Sequence, residues 1–348
     1  MAQGTDKEIL GAGAGMAGAI ALESGVELGE IEVKARGYWE QVWLRFKRDK
    51  IAIGGGITII LLILVAFIGA PIAQAILGHG PDDPFYTAMN AQGQPIGPFS
   101  WVDDPLHPGK RVFLLLGADS TLGRDEFLRI LYGAQVSFEV AILSTIGSIS
   151  IGALLGSMAG YFRGWVDTVV SRVTEITMAF PSLLFIIALA STVGDKLNNI
   201  TLGIFGPGVV LLFVVFSIFG WFYPARILRA VVLSLREKEF VEAARMVGSS
   251  DWRIIRSHIL PHLIAPIIVY STLAVAGFIL GEAGLSYLGV GIKLPAASWG
   301  NLLQQASDYY TTQPWLMVWP GLAVLITTLA FNLLGDGLRD AFDPRSTH

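Results

Sequence analysis

The chain has 348 residues, of which 53% are hydrophobic and 15% are charged; its formal net charge is −4 and it contains no cysteine. Charged residues make up about a quarter of an average soluble domain, so this composition excludes an ordinary soluble enzyme and a disordered chain. The lack of cysteine also excludes a disulfide scaffold, thiol catalysis and zinc–thiolate sites.

Long stretches without charge define the predicted membrane spans. About 20 apolar residues cross a bilayer core of about 30 Å as a helix, whereas a soluble helix carries charges on its wet face every turn or two. The sequence therefore predicts an all-α polytopic membrane protein with six transmembrane helices, an even number that puts both termini on one side. The six stretches are 51–81, 140–162, 176–194, 197–225, 257–281 and 309–335.

The first 50 residues are predicted to stay outside the bilayer. Residues 1–50 are interpreted as a cytoplasmic tail that ends in an interfacial helix, because 38–50 place aromatic side chains among basic ones. The first transmembrane helix is predicted over 51–73.

A cap is predicted between the first and second spans. Residues 74–132 are rich in proline, glycine and aspartate and show no sustained helical or strand period, and a loop of this length is usually functional or disordered. We expect this segment to be ordered in part by Phe99, Trp101, Phe113 and the leucines of 114–116.

The distribution of basic residues predicts the orientation. Most of the 24 Lys and Arg residues lie in 1–50, 161–175, 224–261 and 336–348. Because positive residues collect on the cytoplasmic side, these segments and both termini are predicted to be cytoplasmic and the cap external. The predicted location is the cytoplasmic membrane of a prokaryote.

The other five spans form a predicted helical core over 133–345. The first helix of this core contains Gly147, Gly152, Gly156 and Gly160. Small residues let helix backbones approach closely inside lipid, so this glycine series is compatible with close packing against a neighbouring span. The alternative, which covers most of these residues, is that glycine is simply commoner in membrane helices.

The segment 236–262, between the fourth and fifth spans, is the candidate functional loop. In this loop Phe240, Ala243, Ala244 and Val247 follow at i, i+3, i+4 and i+7, a spacing that predicts one apolar helical face.

The rest of this loop supports a short helix at the tip of a hairpin. Glu239 and Glu242 lie opposite the apolar face, and Gly248 is placed to end the helix in a left-handed cap. Pro261 is expected to separate a second short helix from the fifth span. A mixed-charge helix held between two spans suits docking into a groove of a partner protein, and the alternative is an interfacial loop that lies on lipid.

The loop resembles the signature of ABC importer permeases. Glu242-Ala243-Ala244, Gly248 and His258-Ile259-Leu260-Pro261 have the order and spacing of that signature, and His258 resembles the dipeptide/oligopeptide permease branch, whereas the general signature has Ile there. In this family the loop is the coupling helix that contacts the ATPase subunit. The resemblance therefore implies an ATPase-coupling site formed by Glu239, Phe240, Glu242, Ala243, Ala244, Val247, Gly248, Leu260 and Pro261.

Further segments resemble the C-type subunit of the same group and extend the resemblance over most of residues 117–345. Three features depart from that group: 116–125 is one residue longer, Gln135 stands where Arg is common, and 74–115 is unusually long. The matching segments are Gly123-Arg124-Asp125 with Gly133 and Ser137, Ala179-Phe180-Pro181, Glu282 to Gly289, Ser298 to Asn301, and Phe331 to Asp340.

The resemblance implies a type I ABC importer permease fold and a set of partners. These partners are a homologous permease subunit that completes a heterodimer, two ABC ATPase subunits, an external substrate-binding protein and membrane lipid, with no role for nucleic acid. The implied substrates are dipeptides and oligopeptides. Relatives with the same architecture carry nickel complexes or other small solutes, which is the alternative.

The sequence contains no G-x-x-x-x-G-K-[ST] phosphate-binding loop. The chain is therefore predicted to be a transport subunit and not an enzyme. No cofactor is expected on this chain, and ATP and Mg²⁺ are expected on the partner ATPase subunits.

Glu282 is predicted to lie near the outer end of the fifth span, without a local partner of opposite charge. An ionisable residue within a span is by default a candidate functional group, so Glu282 is a candidate for the translocation path, with structural pairing as the alternative. A secondary transporter driven by an ion gradient, in which Glu282 or Glu175 carries protons, is the competing hypothesis. That hypothesis requires charges deep within several spans, whereas the charges here cluster near the span ends.

Overall fold

The computed structural model describes residues 37–343, apart from residues 106, 121, 180 and 201–204. Most of the predicted cytoplasmic tail, residues 1–36, therefore lies outside the described part of the chain. The described chain is mainly helical, and a two-stranded sheet interrupts the helices between the first and second long helices.

Two helices open the described chain, α1 (Tyr38–Phe46) and α2 (Lys50–Leu77). In α1, Tyr38, Trp39 and Trp43 are exposed, as an interfacial helix requires. The carboxylate of Asp49 caps α2 by accepting hydrogen bonds from the first backbone N–H groups of the helix. One π-helical turn, Val65–Gly69, lies within α2.

Residues 79–125 fold into a small cap that contains β1 (Ser100–Asp103) and β2 (Arg111–Leu114). The two strands pair antiparallel, with Trp101 opposite Phe113 and Val102 opposite Val112. Alternate side chains of a strand point to opposite faces, so each strand turns one face to the interior of the cap. The buried core of the cap consists of Phe85, Ala88, Val102, Val112, Leu114 and Ala118.

The expectation about which residues order the cap is correct for Leu114 and wrong for two aromatic residues. Leu114 is fully buried, whereas Phe99 is 71% exposed and Trp101 is 57% exposed. Strand alternation explains the difference, because it turns Trp101 outward when Val102 faces the core. Trp101 and Phe113 instead pack against each other on the outer face, with ring centroids 5.1 Å apart.

Within the described residues, eight further helices follow the cap. The helix α3 begins at Glu126 and not at the predicted core boundary of 133, because the carboxylate of Asp125 caps it there. The eight helices are α3 (Glu126–Phe162), α4 (Gly164–Ala179), α5 (Ser182–Ile200), α6 (Val209–Arg236), α7 (Glu239–Met246), α8 (Asp251–Tyr287), α9 (Trp299–Ala306) and α10 (Trp315–Phe342).

Five helices within the described residues are long and apolar enough to cross a membrane: α2, α3, α6, α8 and α10. The third predicted span, 176–194, corresponds to a bent pair, in which α4 and the first part of α5 meet at an angle of 79°. Pro181 lies at this break, where a proline removes a backbone donor and disfavours helix in the residue before it. The predicted helical membrane fold is confirmed: five spans are continuous, and the count reaches six when the bent pair is taken as one broken span.

The glycine series of α3 packs directly against α6, so close helix packing accounts for these residues better than composition alone. A Cβ atom added at Gly152 would lie 2.7 Å from Cγ of Pro224, and one added at Gly156 would lie 2.5 Å from the carbonyl oxygen of Ala225. These distances are shorter than van der Waals contact. The two helices therefore approach so closely that no side chain fits between them at these positions.

Polar contacts fasten α2 to α3. The Gln135 side-chain amide donates a 2.6 Å hydrogen bond to the carbonyl oxygen of Ala66, within the π-helical turn of α2. In a second contact between the same helices, the Tyr132 hydroxyl donates to the side-chain oxygen of Gln74. Gln135 stands where the resembled family commonly has Arg, and here a neutral amide supplies the link between the two helices.

Buried charges join the cap to the start of α3. Arg129 has no exposed side-chain surface and lies 2.6 Å from a carboxylate oxygen of Asp82 and 2.9 Å from one of Asp119. Arg124 lies 2.7 Å from Asp119 and donates to the Gln305 side chain of α9 at 2.9 Å. This network joins the cap, the start of α3 and the helix α9 at one end of the helical bundle.

Candidate functional site

The loop after α6 forms a hairpin with α7 at its tip. Lys238 is extended at the start of α7, and Gly248 adopts φ +80° just after its end. The backbone N–H of Ser249 reaches back to the carbonyl oxygen of Ala244 at 3.1 Å, which completes a left-handed helix cap. The predicted helix and the predicted role of Gly248 in ending it are therefore confirmed.

The predicted apolar face of α7 is for the most part not the side that packs against the rest of the chain. Val241 is fully buried against Ile254 and Ile259 at the start of α8, and Ala244 packs against the same cluster. Phe240 is 37% exposed and Val247 is 86% exposed, so the predicted apolar face points largely outward. Periodicity identifies an apolar stripe but not the neighbour that covers it, which explains why sequence reasoning missed Val241.

Large apolar side chains cover the outer surface of this hairpin. Met246 is 84% exposed, and Trp252, in the first turn of α8, is also exposed. Exposed acidic and basic residues, among them Glu239, Glu242 and Arg253, surround the apolar ones. An exposed apolar patch with a polar rim marks an interaction surface. We define the hairpin tip as Phe240, Ala243, Met246, Val247 and Trp252.

The end of α3 braces the hairpin. The Tyr161 hydroxyl donates a 2.6 Å hydrogen bond to the carboxylate of Asp251, and the guanidinium of Arg245 lies 5.3 Å from the centre of the Tyr161 ring. Arg163 and Glu237 form an ion pair at 2.6 Å. These contacts connect α7 and both ends of the loop to a transmembrane helix distant in sequence, and no spacing pattern in the sequence reveals them.

Pro261 does not separate a second short helix from the fifth span, contrary to the prediction. Helix α8 runs through this region, with a π-helical turn at Ile255–Ile259 and a 3-10 turn at Leu260–Leu263. The change in hydrogen-bond pattern accommodates the missing N–H of Pro261 without ending the helix. Leu260 is partly exposed, and the neighbouring His262 ring packs on Phe240 with centroids 5.2 Å apart.

Glu282 lies in the interior of the bundle with no exposed surface. The hydroxyls of Ser137 on α3 and Ser286 on α8 each donate a 2.7 Å hydrogen bond to its carboxylate. The Ser286 oxygen also accepts the backbone N–H of Ile292 at 3.0 Å, so the same group orders the turn after α8. In this arrangement Glu282 joins two helices, and its role in a translocation path stays a prediction.

Glu175, the other candidate proton carrier, is paired. Arg172, three residues earlier on α4, donates to its carboxylate at 2.6 Å, and both side chains are more than half exposed. The described structure therefore gives Glu175 a partner of opposite charge at the surface of α4.

Comparison with known proteins identifies the family. Residues 152–348 match the family described as binding-protein-dependent transport system inner membrane component, and residues 37–95 match the N-terminal TM domain of oligopeptide transport permease C. Among solved structures, the inward-facing MetNI methionine ABC transporter aligns with a TM-score of 0.48 and 17% identity, over 62% of this chain and 96% of that chain.

Curated relatives match over most of their length. The glutathione transport system permease protein GsiD of Pectobacterium atrosepticum is 36% identical over 88% of this chain and 91% of its own length. The dipeptide transport system permease protein DppC of Alkalihalophilus pseudofirmus is 36% identical over 88% of this chain and 90% of its own length. The chain therefore belongs to the binding-protein-dependent transport system inner membrane component family, and it is a multi-pass inner-membrane permease of an ABC importer of the oligopeptide and dipeptide permease C type.

Proposed function

We propose that this chain carries peptides across the inner membrane as one of two permease subunits of an ATP-driven importer. The curated relatives support the substrate class: their names specify glutathione, dipeptides and, for a Brucella suis protein 38% identical over 82% of this chain, peptides. Glu175 and Glu282 both have hydrogen-bonding partners, which gives no support to the competing ion-gradient mechanism.

Membership of the family implies ATPase subunits and a substrate-binding protein as partners. In the proposed complex the second permease is a homologous chain, and two ATPases bind ATP and Mg²⁺. This chain itself holds no cofactor and catalyses no reaction. Both termini and the hairpin lie on the cytoplasmic side, while the cap faces outward.

The exposed hairpin tip is the observation that carries the coupling part of this proposal. In it, Phe240, Ala243 and Val247 enter a groove on the ATPase, and Glu239 and Glu242 pair with charges at its rim. The remaining residues of the coupling site support this surface from within: Ala244 packs on the core, Gly248 ends the helix, and Leu260 and Pro261 continue into α8.

The contacts between the end of α3 and the hairpin provide a route by which movement of the hairpin reaches the membrane helices. Closure of the ATPases on binding ATP displaces the hairpin, and the contacts of Tyr161 and Arg163 move α3 together with α6 and α8. Rigid helices that move as a unit about interfaces are a common way to switch between two states. The permease would alternate between outward-open and inward-open forms in this way.

Co-purification of the assembled importer tests the proposal. We expect Val247→Asp and Phe240→Ala to lose the ATPase subunits and peptide uptake, because a charge or a cavity replaces the apolar contact. Phe99→Ala is the matched control, since Phe99 is also an exposed phenylalanine but lies on the cap. Normal ATPase association and normal uptake in both hairpin variants would contradict the proposal.

A further inference from the structure

A polar cavity of about 330 Å³ lies between α4 and α6. Its polar lining comprises Ser171, Thr174 and Glu175 from α4, with Arg226 and Arg229 from α6. Small-molecule sites have volumes of about 300–1,000 Å³ and a few convergent polar groups. We call this space the α4–α6 cavity.

Helix α4 turns its polar side toward this cavity and its apolar side away from it. Trp165, Val169, Val173 and Ile176 recur at helical spacing and are all exposed. Such an outward apolar face fits lipid or another membrane chain. The opposite, polar face of α4 lines the cavity.

The charges around the cavity are not all neutralised. Asp167 accepts two hydrogen bonds from Arg229, which neutralises that guanidinium. Arg226 has no carboxylate within 4 Å among the described residues, and its guanidinium reaches the thioether sulfur of Met178 at 3.4 Å. A thioether is a weak acceptor, so Arg226 retains its capacity to bind an anion.

The carboxylate of Glu175 can bind a positively charged group in the cavity. Its partner Arg172 has a side chain that is 72% exposed, and an exposed pair of this kind contributes little stability and exchanges readily. The cavity therefore presents one guanidinium able to bind a carboxylate and one carboxylate able to bind an ammonium group.

We infer that the α4–α6 cavity is a transient binding subsite for peptides in transit, in which Arg226 binds a carboxylate of the peptide and Glu175 binds an ammonium group. A peptide carries both groups at neutral pH, which matches the two opposite charges of the cavity. This inference rests on the proposed function and adds the residues that contact the substrate.

Transport selectivity tests the subsite in the complete importer, reconstituted with its ATPases and binding protein. For each variant, the uptake of Ala-Lys is divided by the uptake of Ala-Asp, with each peptide supplied on a saturating concentration of loaded binding protein. This ratio is then compared with the same ratio for the wild type. Arg226→Glu should raise the Ala-Lys to Ala-Asp ratio about tenfold, the factor that corresponds to about 1.4 kcal/mol of charge interaction. Glu175→Gln should lower the same ratio.

Two further variants separate binding from a structural effect. Arg226→Lys keeps the charge and should keep the wild-type ratio, and Arg111→Gln on β2 should leave it unchanged. ATP hydrolysis stimulated by loaded binding protein should stay near the wild-type rate in Arg111→Gln, because Arg111 lies outside the cavity. Opposite shifts for Arg226→Glu and Glu175→Gln are not expected from a loss of packing.

The outcomes distinguish the two proposals. An unchanged ratio in both Arg226→Glu and Glu175→Gln, with peptide uptake by the wild type, would overturn the subsite and leave the proposed function standing. Failure of the wild-type importer to take up any peptide of a broad panel would overturn the proposed function and the subsite with it.

Discussion

At the residue scale, Gly156 shows most directly why α3 is rich in glycine. Its missing side chain leaves room for the backbone of Ala225, and any larger residue must push α3 and α6 apart. We expect Gly156→Leu to destabilise the purified complex by about 1–3 kcal/mol or more, the usual cost of overpacking. The measurement is thermal unfolding in detergent. Gly277→Ala on α8 is the control, because its added Cβ meets nothing within 4 Å.

Arg129 is the residue on which the junction between the cap and α3 depends. Replacing it with methionine removes a buried cation that contacts Asp82 and Asp119. Asp119 keeps Arg124 and Asp82 is half exposed, so the cost is below the value of about 3–5 kcal/mol for breaking a fully buried pair. We expect Arg129→Met to lower the unfolding temperature. Arg111→Gln removes only an exposed pair with Asp103 and should have little effect. Equal melting of the two variants would refute the assigned role of Arg129.

At the element scale, the proposed coupling role requires a hairpin that is stiff enough to transmit movement. Tyr161→Phe removes the hydroxyl that holds Asp251, a hydrogen bond with a net contribution of about 0.5–1.5 kcal/mol. We expect this variant to keep its ATPases but to import less peptide per ATP hydrolysed. Tyr310→Phe, at an exposed tyrosine outside the hairpin, should behave like the wild type. A normal ratio of peptide to ATP in Tyr161→Phe would show that this brace is dispensable.

The same elements show what a single sequence can and cannot predict. The i, i+3, i+4, i+7 spacing and the position of Gly248 predict α7 and its end, because both depend on local geometry. The burial of Val241 and the outward position of Trp101 depend on which distant segment packs against each element. Local patterns carry no such information, and for that reason Val241 was not identified and the expectation for Phe99 and Trp101 was wrong.

Pro261 illustrates a second limit of sequence reasoning. A proline within a helical pattern usually indicates a boundary, but the π-helical turn at Ile255–Ile259 absorbs its effect and α8 continues. At Pro181 the same residue type coincides with a bend of 79° between α4 and α5. The surrounding hydrogen bonds, and not the proline alone, determine the outcome.

At the scale of the whole molecule, charge-free stretches predict the membrane class and the number of spans, because the energetic cost of charge in a bilayer acts on every span. The partners of Glu282 could not be predicted in this way, since Ser137 lies on a different helix. Family resemblance adds the coupling role of the hairpin, and the exposed hairpin tip supports that role.

The natural absence of cysteine makes the central claim directly testable. A single cysteine at Val247, labelled with a photoreactive benzophenone in the assembled importer, should cross-link to the ATPase subunit on irradiation. The same label at Phe99 should not. Cross-linking from Val247 to lipid alone, or labelling of that cysteine from outside intact cells, would contradict the assignment of the hairpin as the site of contact with the ATPase.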